Sequence, residues 1–231
     1  AGTHGKTSTS TMCAHILHQS SIDCNAFLGG ISKNYGTNYI LSNSEYVVIE
    51  ADEFDRSFHH LSPYMSVITA TDPDHLDIYG TKVAFLESFR HYTELIQEGG
   101  ALIIHRDLEM KESLKEGVKR YDYSRDKGDF HAENIRIEDG TITFDFVSPI
   151  ECVKNVVLGQ PIPINIENGV AAMAMAQLAG CTAKELKYGM KTYGGVDRRF
   201  DFKIKTDRLV FLSDYAHHPK EIYQSARSIR E

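Results

Sequence analysis

The chain has 231 residues, of which 42% are hydrophobic and 25% are charged, a balance that is typical of a folded globular protein. Its 25 lysines and arginines against 32 aspartates and glutamates give a net charge of -7, which argues against nucleic acid or an anionic membrane as a partner. No apolar run approaches the roughly 20 residues of a membrane span, and no signal-peptide pattern is present. Because the 4 cysteines are far apart, we expect reduced thiols, no zinc site and a cytoplasmic protein.

A Gly-Thr-His-Gly-Lys-Thr run at residues 2–7 is the most informative motif of the sequence. In a phosphate-binding loop, glycines let backbone N–H groups close around an anion, a lysine reaches the outer phosphates, and a hydroxyl binds Mg²⁺. The residues that would do this are Gly2, Thr3, His4, Gly5, Lys6 and Thr7. The alternative is a glycine turn before an ordinary helix. Since such a loop normally follows a buried strand, we expect the chain to be a fragment of a longer protein.

An apolar run at residues 46–50 predicts a strand that is buried on both faces, as in a parallel sheet. Glu50 ends this run, so its carboxylate would emerge at the edge of the sheet beside the phosphate loop. We therefore predict Glu50 as a magnesium ligand. Three acids follow it, Asp52, Glu53 and Asp55. Most of these acids are explained as solvated or helix-capping charges, and one of the three as the ligand in place of Glu50 is the alternative.

A second apolar run, at residues 65–70, leads into a loop that contains three acids and His75. A lone histidine in a loop is usually a surface residue. This loop, however, would lie at the same edge of the sheet as the phosphate loop. We therefore predict that His75 contacts the metal or the phosphates, with a surface position as the alternative.

The rest of the chain alternates helix and strand signals. Apolar periodicity predicts helices at residues 6–19, 82–97, 107–116 and 182–190, and a further helix that opens at Asn165. Buried strands are predicted at residues 101–105 and 209–212, and another strand at 24–28 that a glycine pair closes. From residue 117 to 157 the period drops to two, which indicates an antiparallel appendage with a turn at residues 138–140.

The motifs at residues 2–7, 50–53 and 74–79, in this order and spacing, resemble the ATP-binding central domain of the Mur ligases. These are the amide-forming enzymes of bacterial peptidoglycan precursor synthesis, and the resemblance covers essentially the whole chain. It implies an α/β fold in which helices flank a parallel P-loop sheet that carries a small antiparallel sheet. It also implies an ATP-binding central domain over residues 1–195 and the start of a C-terminal ligase domain over residues 196–231.

The resemblance also implies roles for individual residues. Lys6 would hold the β- and γ-phosphates, Thr7 and Glu50 the first Mg²⁺, and Glu50 with His75 the second, which makes Lys6, Glu50 and His75 the catalytic set. The expected nucleotide contacts in the second half of the chain are Asn168, Arg199, Asp214 and His217. Helix capping is the alternative for Asn168.

The activity that the resemblance implies is the joining of L-alanine to UDP-N-acetylmuramate through an acyl phosphate, with ATP and Mg²⁺. Several Mur ligases carry a modified lysine in the helix at residues 83–97, and its absence here favours the alanine-adding branch. The muropeptide-recycling branch shares this absence and stays an alternative, as do a P-loop nucleotide switch and a small-molecule phosphotransferase. The chain alone is expected to be inactive, because the amine site would lie in a C-terminal domain. No oligomeric state is predicted.

Overall fold

The computed structural model describes residues 1–74, 76–206, 208–216 and 219–230 of the chain. The helices are α1 (Lys6–His18), α2 (Leu76–Tyr79), α3 (Lys82–Glu94), α4 (Ile164–Leu178), α5 (Ala183–Thr192) and α6 (Pro219–Arg230), with a 3-10 helix at Phe54–His60. The strands are β1 (Asn25–Ser32), β2 (Thr37–Ile40), β3 (Val47–Ile49), β4 (Met65–Ile68), β5 (Ala101–His105), β6 (Lys119–Tyr123), β7 (His131–Glu138), β8 (Thr141–Val147), β9 (Cys152–Leu158), β10 (Asp201–Lys205) and β11 (Val210–Ser213). None of the helices in this part of the chain combines the length and the apolar character that a membrane crossing requires.

Parallel strands carry the predicted phosphate loop. β4, β5 and β6 are parallel neighbours in that order, while β1 pairs with β3 in parallel and with β2 antiparallel. The segment before α1 runs beside β4: the Thr69 N–H donates to the Ala1 oxygen at 3.1 Å, and the Thr3 N–H donates to the Ala70 oxygen at 3.1 Å. This pairing brings the loop to the carboxyl end of β4, the edge at which open α/β sheets bind ligands.

Two antiparallel units follow in the chain. β7, β8 and β9 form a three-stranded sheet, and β10 pairs with β11. At the turn between β7 and β8, Asp139 has a φ of 49° and Gly140 a φ of 70°, as the type I′ turns of two-residue hairpins require. The parallel strands with their helices and this small antiparallel sheet confirm the predicted fold class.

The main core lies where α1 and α4 pack together and against β1 and the β7–β9 sheet. Met12 and Ile16 of α1 and Val170 and Met173 of α4 are fully buried in it. α5 closes this core, and its first turn has a capping box in which Thr182 and Glu185 bind each other's backbone N–H groups, which confirms the predicted cap. A second core forms around β4, β5 and α3.

The structure corrects the prediction that residues 46–50 and 209–212 form buried strands. Val47 and Ile49 of β3 are 50% and 46% exposed, and Val210 and Phe211 of β11 are 53% and 56% exposed. Within the described residues each of these strands pairs with one neighbour only. An apolar run indicates which residues can be buried, whereas actual burial depends on the elements that cover the strand.

Two further elements differ from the prediction: one predicted helix does not form, and one strand is longer. Residues 107–116 form turns and extended chain and no helix, although Met110 is buried in the second core. The strand predicted at residues 24–28 continues through Gly29 and Gly30 as far as Ser32, with an irregular register. The glycine pair therefore lies within β1 and does not end it.

An ion-pair cluster joins the β10–β11 hairpin to the end of β1. The Asp201 carboxylate is 2% exposed and accepts hydrogen bonds from Lys33 and, at 2.5 Å, from Lys203. Burial opposes ionisation of this carboxyl, but the hydrogen bonds from Lys203 and Lys33 outweigh it and lower the pKa of Asp201 to about 2. A carboxyl whose pKa is lowered by folding stabilises the folded state above its ordinary pKa and loses this contribution as the pH falls towards the folded value.

We therefore expect Asp201→Asn to lower the free energy of unfolding near neutral pH by about 1–3 kcal/mol, because the charged hydrogen bonds are lost. The difference between variant and wild type should shrink as the pH falls from about 4 towards 2, since the wild-type carboxyl becomes protonated there. Urea unfolding at a series of pH values measures this difference. Asp126→Asn, which changes an exposed aspartate, is the control and should leave stability unchanged. A difference for Asp201→Asn that is independent of pH would contradict the ion-pair explanation.

Candidate nucleotide and metal site

The loop at residues 2–7 has the backbone geometry of an anion cradle. Gly5 begins α1 with a φ of 78°, and no side chain caps this helix. The first N–H groups of α1 are therefore available for an anion at the positive end of the helix dipole. Gly2 has a φ of 128°, and a Cβ there would lie 2.3 Å from Thr69 Oγ1. A glycine is thus required at both positions.

Two other side chains of the loop, those of His4 and Thr3, have different environments. His4 Nε2 lies 3.4 Å from a carboxylate oxygen of Asp72, in the loop after β4. The hydroxyl of Thr3 is buried and has no hydrogen-bond partner among the described residues, so the backbone of Thr3 is the part that shapes the loop. Both residues belong to the loop as predicted, and His4 also lines the cavity described below.

Thr7 and Glu50, two of the three predicted magnesium ligands, are in direct contact. The Thr7 hydroxyl donates to Glu50 Oε1 at 2.9 Å, and the backbone N–H of Gly29 donates to Glu50 Oε2 at 2.7 Å. Ser10 is a further donor to Oε2 at 3.3 Å. The carboxylate of Glu50 is therefore held from both sides, at the carboxyl end of β3 and over the first turn of α1.

This pair of ligands suits Mg²⁺, which prefers oxygen donors and usually binds through one or two carboxylates together with substrate phosphates. Among the described residues no group of three or more His, Cys, Asp or Glu side chains could hold a metal by itself. A site completed by phosphate oxygens is consistent with both observations. His75, the third predicted ligand, lies outside the described residues.

Lys6 has a partner that the sequence did not indicate. Both carboxylate oxygens of Glu53 accept from Lys6 Nζ, at 2.9 Å and 2.7 Å, and Glu53 is only 1% exposed. The hydroxyl of Tyr79 donates to the backbone oxygen of Glu53. The prediction of a solvated or helix-capping Glu53 was therefore wrong, because its side chain is buried against the lysine and does not cap the 3-10 helix that follows.

A cavity of about 630 Å³ adjoins the loop, and this volume is within the range of small-molecule sites. It brings together residues that are far apart in the sequence. The predicted nucleotide residues in its walls are His4, Gly5, Asn168, Arg199 and Asp214.

Asn168 belongs to a hydrogen-bond network along one wall of this cavity. Its Oδ1 accepts from Thr9 of α1 at 3.4 Å, and its amide nitrogen donates to Asn165 at 3.2 Å. The amide of Asn165 donates in turn to Gln160 at 3.0 Å, and Gln160 donates to the backbone oxygen of Arg199 at 3.3 Å. α4 starts after Pro163 without a side-chain cap, so the capping alternative for Asn168 does not hold. Sequence reasoning missed Gln160 because its partners lie on other elements.

Arg199 approaches Thr7, one of the predicted magnesium ligands. Its Nη2 is 3.5 Å from Thr7 Oγ1, and its guanidinium lies over the Tyr215 ring at 5.3 Å from the centroid. Asp214 accepts from the Phe200 N–H at 3.2 Å and from the hydroxyl of Ser225, so its carboxylate holds β10 and α6 to the cavity wall. His217, predicted beside Asp214, lies outside the described residues.

A glycine loop at the end of a parallel strand, with a lysine, a hydroxyl and a carboxylate behind it, defines the class of P-loop nucleotide-binding proteins. The model of the Mur ligase middle domain matches residues 1–176. The chain therefore belongs to the Mur ligase family, as predicted from the motifs.

The similar proteins carry more specific names. The chain is 70% identical to UDP-N-acetylmuramate--L-alanine ligase of Phocaeicola vulgatus and 59% identical to the enzyme of the same name from Parabacteroides distasonis, in each case over 100% of the chain and 50% of that protein. The chain thus spans about half the length of the curated relatives that it matches.

Among solved structures, UDP-N-acetylmuramate-alanine ligase MurC from Thermotoga maritima superposes with a TM-score of 0.84 at 25% identity, over 100% of this chain and 53% of that chain. A murein peptide ligase from Psychrobacter arcticus superposes with a TM-score of 0.70 at 24% identity, over 100% of this chain and 53% of that chain, and this likeness shows the fold alone.

Proposed function

We propose that this chain is the ATP-binding part of a cytoplasmic ligase that joins L-alanine to UDP-N-acetylmuramate in peptidoglycan precursor synthesis. One arrangement carries the proposal: the Thr7 hydroxyl donates to Glu50 at 2.9 Å, Arg199 Nη2 lies 3.5 Å from that hydroxyl, and Arg199 lines the cavity together with Gly5, which precedes Lys6 in the loop. That is the set of charges and oxygen ligands that phosphoryl transfer from a nucleotide requires. The names of the two relatives from Phocaeicola and Parabacteroides supply the substrates.

In the proposed reaction a carboxylate oxygen of UDP-N-acetylmuramate attacks the γ-phosphorus of ATP, and ADP leaves. The amine of L-alanine then attacks the acyl phosphate carbon, inorganic phosphate leaves, and the nitrogen loses a proton to form the amide. Lys6 neutralises charge on the outer phosphates and Arg199 on the transferring group, while Thr7 and Glu50 are the residues that would hold Mg²⁺. Mg²⁺ held by these two residues would neutralise charge that develops on the phosphates. Orientation and preorganised charge account for most of the acceleration.

Phosphate release by the full-length protein tests this function. Release should require ATP, UDP-N-acetylmuramate and L-alanine together, and omission of either acceptor should lower it to background. Steady release with ATP alone would indicate a nucleotide switch. Continued ADP formation without an amine, beyond one equivalent per enzyme, would indicate a phosphotransferase, since the ligase stops at the acyl phosphate. If a tripeptide replaces L-alanine as the better amine, the muropeptide-recycling activity is the correct one.

A further inference from the structure

The carboxylate of Glu50 accepts hydrogen bonds unevenly at its two oxygens. Among the described residues Oε2 accepts from two donors, the Gly29 N–H at 2.7 Å and the Ser10 hydroxyl at 3.3 Å. Oε1 accepts from one donor, the Thr7 hydroxyl at 2.9 Å. An ionised carboxylate offers about four acceptor positions, two on each oxygen. These contacts therefore leave one position for a metal ion, and it is on Oε1.

The hydroxyl of Ser10 has a choice of two acceptors. It lies 3.3 Å from the backbone oxygen of Thr7 as well as from Glu50 Oε2, and it has one proton to donate. Hydrogen bonds to an ionised acceptor are roughly twice as strong as those between neutral groups. The proton is therefore directed to the carboxylate, and Ser10 takes the second acceptor position on Oε2.

Thr7 also has one position left for a metal ion. Its proton is donated to Glu50 Oε1, and Arg199 Nη2 donates to the Thr7 oxygen at 3.5 Å, which uses one of its two lone pairs. The oxygens of Thr7 and Glu50 are 2.9 Å apart. Neighbouring ligands of an octahedral Mg²⁺ ion, with bonds of about 2.0–2.1 Å, are also about 2.9 Å apart. Bonds of about 2.3–2.6 Å to Ca²⁺ at right angles would separate them by about 3.3–3.7 Å, so the spacing fits the smaller ion.

We propose that Ser10, together with the Gly29 N–H, restricts Glu50 to a contact with the metal through one oxygen and so makes the site discriminate against Ca²⁺. Ca²⁺ takes about six to eight oxygen ligands and commonly uses both oxygens of a carboxylate, whereas Mg²⁺ needs a near-octahedral set. A contact through both oxygens of Glu50 would have to displace a donor from Oε2. The inference rests on the proposed function and adds the residue that sets metal selectivity.

Ser10 acts in this arrangement through Glu50 and does not bind the metal itself, so it is a positioning residue. Its hydroxyl is the donor that a substitution can remove, since the second donor on Oε2 is the backbone N–H of Gly29. Loss of one hydrogen bond of this kind changes an equilibrium constant by about fivefold. The selectivity for Mg²⁺ over Ca²⁺ should therefore depend on the residue at position 10.

Affinities of the wild-type, full-length protein for the Mg²⁺ and Ca²⁺ complexes of ATP provide the first test. Calorimetric titrations without UDP-N-acetylmuramate and L-alanine measure binding in the absence of turnover. The magnesium complex should bind more tightly by about fivefold or more, because Ca²⁺ gains its second carboxylate oxygen only by displacing a hydrogen bond. Equal affinities would overturn the inference and leave the proposed function intact. Absence of binding by both complexes would contradict the proposed function and the inference with it.

Variants at position 10 identify the discriminating group. Ser10→Ala frees a position on Oε2, so the ratio of the affinity for the magnesium complex to that for the calcium complex should fall by about fivefold. Ser10→Thr keeps a hydroxyl and should keep the ratio near the wild-type value. Ser20→Ala is the matched control and should leave the ratio unchanged. The Ser20 hydroxyl donates to the backbone oxygen three residues earlier, that of Leu17 at 2.7 Å, but it lies beyond the far end of α1.

A purely structural role of Ser10 has a different signature. If Ser10 only supports the first turn of α1, Ser10→Ala should lower thermal stability, or the affinities for both complexes equally, and leave their ratio unchanged. This result would overturn the inference. If Ser10→Ala does not fold, Ser10→Cys takes its place, because it has a similar volume and only a weak S–H donor, and it should show the same fall in the ratio.

Discussion

Lys6→Ala should lower the turnover of the full-length ligase by about 10²- to 10³-fold, the usual loss when one charge-stabilising group is removed. The same change should also destabilise the fold. Glu53 is 1% exposed, and within the described residues its carboxylate would lose both of its hydrogen bonds. Removal of one partner of a buried ion pair costs about 3 kcal/mol or more.

The double variant Lys6→Met with Glu53→Gln separates the two effects. It removes both charges and keeps side chains of similar shape, and such replacements of a buried pair are often neutral for stability. We expect the free energy of unfolding to return close to wild type while turnover stays low. Recovery of turnover together with stability would contradict a phosphate-binding role for Lys6. Urea unfolding and phosphate release on the same preparations give both quantities.

The sequence was sufficient for the part of the site that is local. The glycines, the lysine and the threonine are neighbours in one loop, so their relative positions are set by the local sequence. Glu50 could be assigned because it directly ends an apolar run. In the structure Glu50 Oε1 is 2.9 Å from Thr7 Oγ1, close enough for the two residues to bind one metal ion. Their roles in catalysis stay a prediction, as do those of His75 and His217.

Residues whose surroundings come from distant elements could not be recognised in the same way. Glu53 resembles its acidic neighbours in the sequence, and only the contacts with Lys6 and Tyr79 distinguish it. Gln160 and Asn165 carry no motif of their own, yet they link Asn168 to the backbone of Arg199. A buried polar network is visible only when the helix, strand and loop that supply its partners are assembled.

In the fold, too, features set by the local sequence were predicted and features set by distant elements were not. Periodicity located β5 at Ala101–His105 and the β7–β8 hairpin, because period-two alternation and an Asp-Gly turn are local signals. It did not give the burial of β3 and β11, since burial depends on which elements lie against a strand. The spacing of apolar side chains in residues 107–116 predicted a helix. These residues instead form an irregular segment, and Met110 within it packs into the second core.

Gly29 of β1 lies directly against the carboxylate of Glu50, the predicted magnesium ligand. Its N–H donates to Glu50 Oε2 at 2.7 Å, and a Cβ at this position would lie 2.4 Å from both oxygens of Glu50. Since real Cβ atoms do not approach so closely, the carboxylate would have to move. The first glycine of the pair that looked like the end of a strand is therefore explained by the space that Glu50 occupies, and the second by Val196, whose Cγ1 would lie 2.6 Å from a Cβ at Gly30.

Gly29→Ala should consequently raise the Mg²⁺ concentration needed for half-maximal turnover and lower kcat/KM by about 10²-fold, since a displacement of about 1 Å in a catalytic group can cost this much. Gly194→Ala is the control, because the nearest contact of its Cβ is 3.3 Å, to Asn34, and it should leave the Mg²⁺ dependence unchanged. The double variant Gly29→Ala with Glu50→Asp shortens the acid and relieves the overlap, so it should recover part of the loss. A Gly29→Ala protein with wild-type Mg²⁺ dependence would show that Glu50 is not the ligand whose position limits metal binding.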